Sequence, residues 1–245
     1  MKNKLIVALD VPEINKAKEL INILGETVVY YKVGLELFLN TRGEILDYLQ
    51  AKEKKIFLDL KFHDIPNTVA QAVRWAAGLG VDMLDVHASG GREMMQAAVE
   101  IAKNVSLQKG FAPPLIVGVT VLTSFTEESF SELGFKNSLK QSASLWAKIS
   151  EEAGLDGVVC SPQEAAEIKK LCGSDFLTVC PGVRPLGAET QDQKRVTTPA
   201  QALKLGADYL VVGRPITKSI DPVKAAVNII EEMRGGSKYG FPRGH

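Results

Sequence analysis

Short apolar runs rich in β-branched and aromatic residues alternate with longer amphipathic segments from end to end, the pattern of βα units wrapped around a parallel sheet. The runs that read as strands are Leu5 to Leu9, Val28 to Val33, Lys55 to Leu60, Met83 to His87, Leu115 to Thr120, Gly157 to Cys160, Leu177 to Cys180 and Tyr209 to Val212. Each precedes a helical stretch. After the second, residues Arg42 to Lys52 place Ile45, Leu46 and Leu49 on one stripe. The last helix has the clearest start, with Asp221 as N-cap and Pro222 in the first turn before Val223 to Met233, and Gly235-Gly236 ends it. No Ser/Gly/Pro-rich linker divides the chain. Eight such units predict a single (β/α)8 TIM barrel over residues 1–236, with 237–245 as a flexible tail; an open doubly wound sheet is the alternative arrangement of the same units.

Composition narrows the function classes. Twenty-nine basic residues balance twenty-nine acidic ones, so no global field favours nucleic acid or an anionic membrane, and any anion site must be local. The apolar opening run stops at Asp10, short of a signal peptide, and Leu115 to Leu122 falls far below the roughly 20 apolar residues that span a bilayer. The expected location is therefore cytoplasmic. Cys160, Cys172 and Cys180 have no metal-ligand spacing and an odd count, so they read as reduced packing residues.

The chemistry gathers at strand ends. Residues 59 to 68 read Asp-Leu-Lys-Phe-His-Asp-Ile-Pro-Asn-Thr, and period two turns Asp59 and Lys61 to one face and Leu58 and Leu60 to the other. Asp10 closes the first strand, Lys32 sits near the end of the second, and Thr120 and Thr123 follow the fifth. A barrel builds its active site at these ends. An alternating Lys32, Asp59, Lys61, Asp64 array offsets its own charge and keeps both lysines protonated, although a Lys32–Asp59 pair alone can equally be a buried structural ion pair.

Two further segments look functional. Pro181 to Val196, carrying Arg184, Gln193, Lys194 and Arg195, is a long polar connection that reads as a lid. Gly213-Arg214 after the last strand suits a phosphate, where a missing side chain admits the backbone and a guanidinium grips the anion; by itself it also fits a plain turn. Asp59, His63, Asp64, Asp85 and His87 form a rival metal-ligand set, but Lys61 would place a cation among the ligands. His63 then reads as a hydrogen-bonding loop residue, His87 as a core group, and Trp75 and Trp146 as packing residues.

These residues resemble orotidine 5'-phosphate decarboxylase of the bacterial type, the family that makes UMP from OMP. The likeness rests on Leu-Asp at 9–10, Tyr-Lys-Val-Gly at 31–34, the decapeptide at 59–68 and Val-Thr-Val-Leu-Thr-Ser at 119–124. It continues through Pro-Gly-Val-Arg-Pro at 181–185, Asp-Gln-Lys-Arg at 192–195 and Val-Val-Gly-Arg-Pro-Ile at 211–216. The resemblance implies that Lys61 protonates C6 of the pyrimidine within the Lys32, Asp59, Lys61, Asp64 array. It also implies that Asp10 and Lys32 hold the ribose, Thr123 and Gln193 the pyrimidine edge, and Arg184, Gln193, Gly213 and Arg214 the phosphate. Asp64, Ile65 and Thr68 would reach the neighbouring site of a homodimer, and no cofactor or metal is implied. Two readings remain beside it: a magnesium-dependent sugar-phosphate enzyme with the same Asp-x-Lys-x-x-Asp arrangement, such as 3-keto-L-gulonate 6-phosphate decarboxylase or hexulose 6-phosphate synthase, and a catalytically idle phosphate-binding barrel.

Overall fold

The computed structural model describes residues 1–185 and 197–235. Eight parallel strands close into a barrel in chain order, and the last pairs back onto the first. They are β1 (Leu5–Ala8), β2 (Tyr30–Gly34), β3 (Lys55–Phe62), β4 (Met83–His87), β5 (Leu115–Val119), β6 (Gly157–Val159), β7 (Leu177–Pro181) and β8 (Tyr209–Val212). The helices between them are α1 (Ile14–Leu24), α2 (Leu35–Thr41), α3 (Glu44–Ala51), α4 (Pro66–Gly78), α5 (Arg92–Lys109), α6 (Glu127–Ser131), α7 (Leu139–Glu152), α8 (Pro162–Cys172), α9 (Pro199–Lys204), α10 (Arg214–Thr217) and α11 (Pro222–Met233). The expected strands are all present, and Asp221 caps α11 by accepting the Lys224 N–H. The second unit differs from expectation, because α2 precedes α3. Arg42 and Gly43 between them both adopt left-handed backbone, which separates the unexpected α2 from α3, the helix that the apolar stripe of Arg42 to Lys52 predicted.

Strand alternation sorts the core into two shells. Ile6, Ala8, Tyr30, Phe57, Met83, Val117, Val179 and Val211 pack together as one buried cluster, while their strand neighbours, such as Leu5, Val7, Tyr31, Leu58, Leu84 and Leu210, join the helices in a larger one. The first set fills the barrel and the second seals the helices onto it. Continuing the inward parity by two residues leads from Ala8 to Asp10, from Tyr30 to Lys32, from Phe57 to Asp59 and from Met83 to Asp85. The polar residues therefore cap the inner core at the C-terminal end of the strands.

At the opposite end a short motif repeats. Gly80-Val-Asp82, Gly154-Leu-Asp156 and Gly206-Ala-Asp208 each carry a glycine at positive φ. The three aspartates accept backbone N–H bonds from the preceding strand neighbour, Ile56 at 2.8 Å, Ile116 at 2.7 Å and Thr178 at 2.9 Å. A left-handed glycine reverses the chain and the carboxylate pins the next strand. Replacing Asp156 with Ala should cost about 1.5–3 kcal/mol of stability, the usual worth of a hydrogen bond to a charged group. Denaturant unfolding would measure it, and kcat should stay unchanged because this is the stability face of the barrel.

Cys160 and Cys180 are buried free thiols with Sγ atoms 4.0 Å apart, and Cys172 is a half-buried free thiol. Trp146 packs edge to face on Phe130 and Phe135, and Trp75 does the same on Phe38. Among the described residues no helix is long and apolar enough to cross a membrane. Residues 237–245, expected to form a tail, lie outside the described part.

Candidate active site

Lys32 is the centre of the charged network. Its ammonium lies 3.0 Å from Asp10 and 3.0 Å from Asp59, and Asp59 also pairs with Lys61. Burial pulls the Lys32 pKa down, but the carboxylates of Asp59 and Asp10 outweigh this and hold it above its ordinary value. Burial likewise favours the neutral form of Asp59, and the charge of Lys32, reinforced by Asp85 and Lys61, overrides it and drives the carboxyl well below the usual range. Lys32 is thus an ammonium and Asp59 a carboxylate at neutral pH. Gly34 makes room for it, since a Cβ there would lie 3.0 Å from the Lys32 Nζ.

Lys61 is reached by an irregular strand, where period two predicts a regular one. Between paired positions Leu58↔Leu84 and Phe62↔Val86 the register shifts, so that Asp59, Leu60 and Lys61 face the single residue Asp85. Lys61 sits at φ 49°, in left-handed backbone that costs a non-glycine residue about 1–2 kcal/mol. Strain of this kind collects at functional sites and persists only where surroundings enforce it. Its side chain remains one-third exposed, whereas that of Asp59 is almost wholly covered.

These side chains open onto a cavity of about 190 Å³ lined by Lys32, Asp59, Lys61, Thr123, Cys160 and Pro181, among apolar neighbours. A second cavity of about 240 Å³ adjoins it and shares Thr123 and Pro181, but its lining includes none of the charged array. We assign the chemistry to the first, because it alone of the two is lined by the linked charges of Lys32, Asp59 and Lys61. Gly213 stands at the rim: a Cβ on it would approach Asp10 Oδ2 to 3.6 Å, so the end of β8 meets the end of β1. Arg214 opens α10 immediately after it. Arg184 is buried at the end of β7, and its N–H donates to the Thr197 carbonyl, tying together the two ends of the long connection. Gln193, with Lys194 and Arg195, lies outside the described residues.

Asp64, Ile65 and Thr68 do not join the network within one chain. All three are exposed, Ile65 by 66%, and Asp64 accepts the Ile65 N–H at the entrance to α4. His63 was expected to hydrogen bond and instead stacks on His87, with ring centroids 5.1 Å apart. His87 is pulled down to about 4 by burial, then by His63 and Lys61, and is neutral at pH 7; its Nδ1 lies 3.3 Å from the Ser89 hydroxyl. Among the described residues no three His, Cys, Asp or Glu side chains gather as a metal-ligand cluster. The sequence reading named Asp85 only within the rival metal-ligand set and not beside the charged array, where its carboxyl accepts the Lys61 N–H. Its inward parity beside Asp59 was visible, but the irregular backbone it faces was not.

The chain as a whole resembles known proteins in sequence and in fold. The chain matches the model of the orotidine 5'-phosphate decarboxylase / HUMPS family over residues 3–229. A relative from Nostoc sp. named orotidine 5'-phosphate decarboxylase is 50% identical over 232 residues, 94% of this chain and 97% of that one. Another of the same name from Carboxydothermus hydrogenoformans is 50% identical over 235 residues, 96% of this chain and 98% of the relative. The crystal structure of orotidine 5'-phosphate decarboxylase from Lactobacillus acidophilus superposes with a TM-score of 0.84 at 36% identity, covering 94% of this chain and 98% of that one. With nearly its full length matched in sequence and in fold, the chain belongs to the orotidine 5'-phosphate decarboxylase / HUMPS family.

Proposed function

We propose that this carboxy-lyase converts orotidine 5'-phosphate (OMP) to UMP in pyrimidine biosynthesis, as a cytoplasmic homodimer that requires neither metal nor cofactor. The observation that carries this reading is the chain of ion pairs from Lys32 through Asp59 to Lys61 at the cavity wall. Loss of carbon dioxide leaves the bonding pair at C6 in an in-plane orbital that the ring π system cannot delocalise. Stabilisation must then be electrostatic, from charge already in place. The Lys61 ammonium stabilises this carbanion and transfers a proton to it, so a C6–H bond replaces the C6–carboxylate bond and the neutral amine regains its proton from solvent. Asp59, kept anionic by Lys32, repels the substrate carboxylate and is relieved as carbon dioxide departs.

In the same reading Asp10 and Lys32 hold the ribose hydroxyls, and Thr123 and Gln193 the pyrimidine edge. Arg184, Gln193, Gly213 and Arg214 hold the phosphate. Thr123 on the cavity wall and Gly213 beside Asp10 support these places. Asp64, Ile65 and Thr68 act in the partner's site, a role suited to their exposure. Half-exposed Leu35 and Trp75, with Leu39 at 66%, add apolar surface on α2 and α4, which meet through Phe38 and Trp75.

The direct test follows the fall in pyrimidine absorbance when purified protein meets OMP with excess chelator. Rapid conversion to UMP supports metal-free decarboxylation. Folded protein that is inactive on OMP, or active only on sugar phosphates with magnesium, would overturn the reading. Sharing across the dimer has its own test. Lys61→Ala and Asp64→Ala proteins, each nearly inactive, should regain activity when mixed, because one hybrid site then carries both native residues. At full statistical exchange about half of the dimers are hybrids with one intact site of two, so recovery should approach roughly a quarter of wild-type activity. Proven subunit exchange without recovery would show that Asp64 does not act across the interface.

A further inference from the structure

We propose that Asp85 is the positioning residue of the site, holding the Lys61 backbone in the left-handed conformation that aims its ammonium at the reacting carbon. The inference rests on Lys61 being the proton donor and adds the device that places it. Three observations converge. First, β3 carries three residues, Asp59, Leu60 and Lys61, against the single Asp85 of β4, so the regular backbone ladder is interrupted there. Second, the Lys61 N–H donates instead to Asp85 Oδ1 at 2.8 Å, so a side chain takes the place of a ladder bond. Third, Lys61 is one of only three non-glycine residues at positive φ among the described residues, and the other two, Arg42 and Glu53, end helical segments.

Asp85 is 1% exposed, and besides accepting the Lys61 N–H its carboxyl hydrogen bonds to the Asp59 side chain. A carboxyl group in that position is poorly chosen for stability alone, because burial and the neighbouring Asp59 charge both oppose its ionised form. Burial first and the charge of Asp59 second push its pKa well above normal, which disfavours a second negative charge beside the array. Asp59 is the carboxylate that pairs with both lysines. Asp85 supplies an acceptor for a backbone that the bulge has freed.

The role requires an acceptor atom and not a charge, which separates the variants. Asp85→Asn keeps an oxygen acceptor and should hold kcat within a few-fold of wild type. Asp85→Val fills a similar volume without an acceptor and should lower kcat by roughly 10²-fold, the penalty expected when a reacting group is misplaced by about 1 Å. KM and the affinity for UMP should move far less, since phosphate and ribose contacts lie elsewhere. Amide hydrogen exchange gives a readout independent of turnover. The Lys61 amide should be protected in wild type and in Asp85→Asn, and should exchange faster in folded Asp85→Val. An unprotected Lys61 amide in wild type, or full kcat in Asp85→Val, would overturn the inference. Wild-type protein that fails to decarboxylate OMP would refute the functional reading instead, leaving the exchange results to judge the anchoring.

Discussion

Lys61→Ala should lower the kcat for OMP by roughly 10⁴-fold or more, while the affinity for UMP changes by less than about tenfold. The magnitude combines two losses. A positioned proton donor contributes roughly 10²–10⁴-fold, and a preorganised charge at a developing anion about 10²–10³-fold. A 10⁴-fold loss corresponds to about 5.4 kcal/mol of transition-state stabilisation at 1.36 kcal/mol per tenfold. UMP carries neither the departing carboxylate nor the carbanion, so its binding reports on ribose, pyrimidine and phosphate contacts alone. Arg214→Ala provides the opposite signature, a raised KM with a smaller effect on kcat at saturation. The contrast is what matters. Equal losses in kcat and KM for both variants would remove the distinction between proton donor and phosphate grip.

Asp59→Ala should damage both stability and turnover. The Lys32 side chain is only 11% exposed and is held between Asp59 and Asp10, of which Asp10 is mostly exposed. Removing Asp59 strands a buried ammonium with one solvent-screened partner, and losses of about 3–5 kcal/mol follow such truncations. Asp10 softens the loss, so the expected value is about 3 kcal/mol at neutral pH. Its pH dependence has a definite sign. Because the folded-state pKa of Asp59 is depressed, its contribution is fully present above the unfolded value near 4 and is lost as pH falls through the folded value. The stability difference between wild type and Asp59→Ala should therefore be constant from about pH 7 to pH 5 and shrink in stronger acid. Turnover should fall by roughly 10²-fold or more, because Asp59 also locates the Lys61 ammonium. Urea unfolding at several pH values, beside steady-state kinetics at neutral pH, would check both. Unchanged stability at pH 7 would mean that Lys32 finds a substitute partner.

Much of this site could be read from the chain before any fold was known. Asp10, Lys32 and Asp59 appear at the ends of successive apolar runs, and the inward parity of each strand carries them to one mouth of the barrel. Asp64, Ile65 and Thr68 were equally visible, but the fold leaves all three exposed and outside the Lys32, Asp59, Lys61 network. The repeated Gly-x-Asp motif was also present in the sequence and passed unread. Its meaning depends on knowing that each aspartate lies beside the first residues of the preceding strand.

The sequence by itself determined the eight βα units and the placement of Asp10, Lys32, Asp59 and Lys61 at strand ends, because alternation along strands and amphipathic helices is a local property that needs no knowledge of distant contacts. Only the tertiary structure decided how Lys61 is presented. Its left-handed backbone, the register shift around it and the Asp85 carboxyl that takes its N–H arise where two strands of different local length meet. Such a mismatch is created by pairing, so no pattern within either strand encodes it.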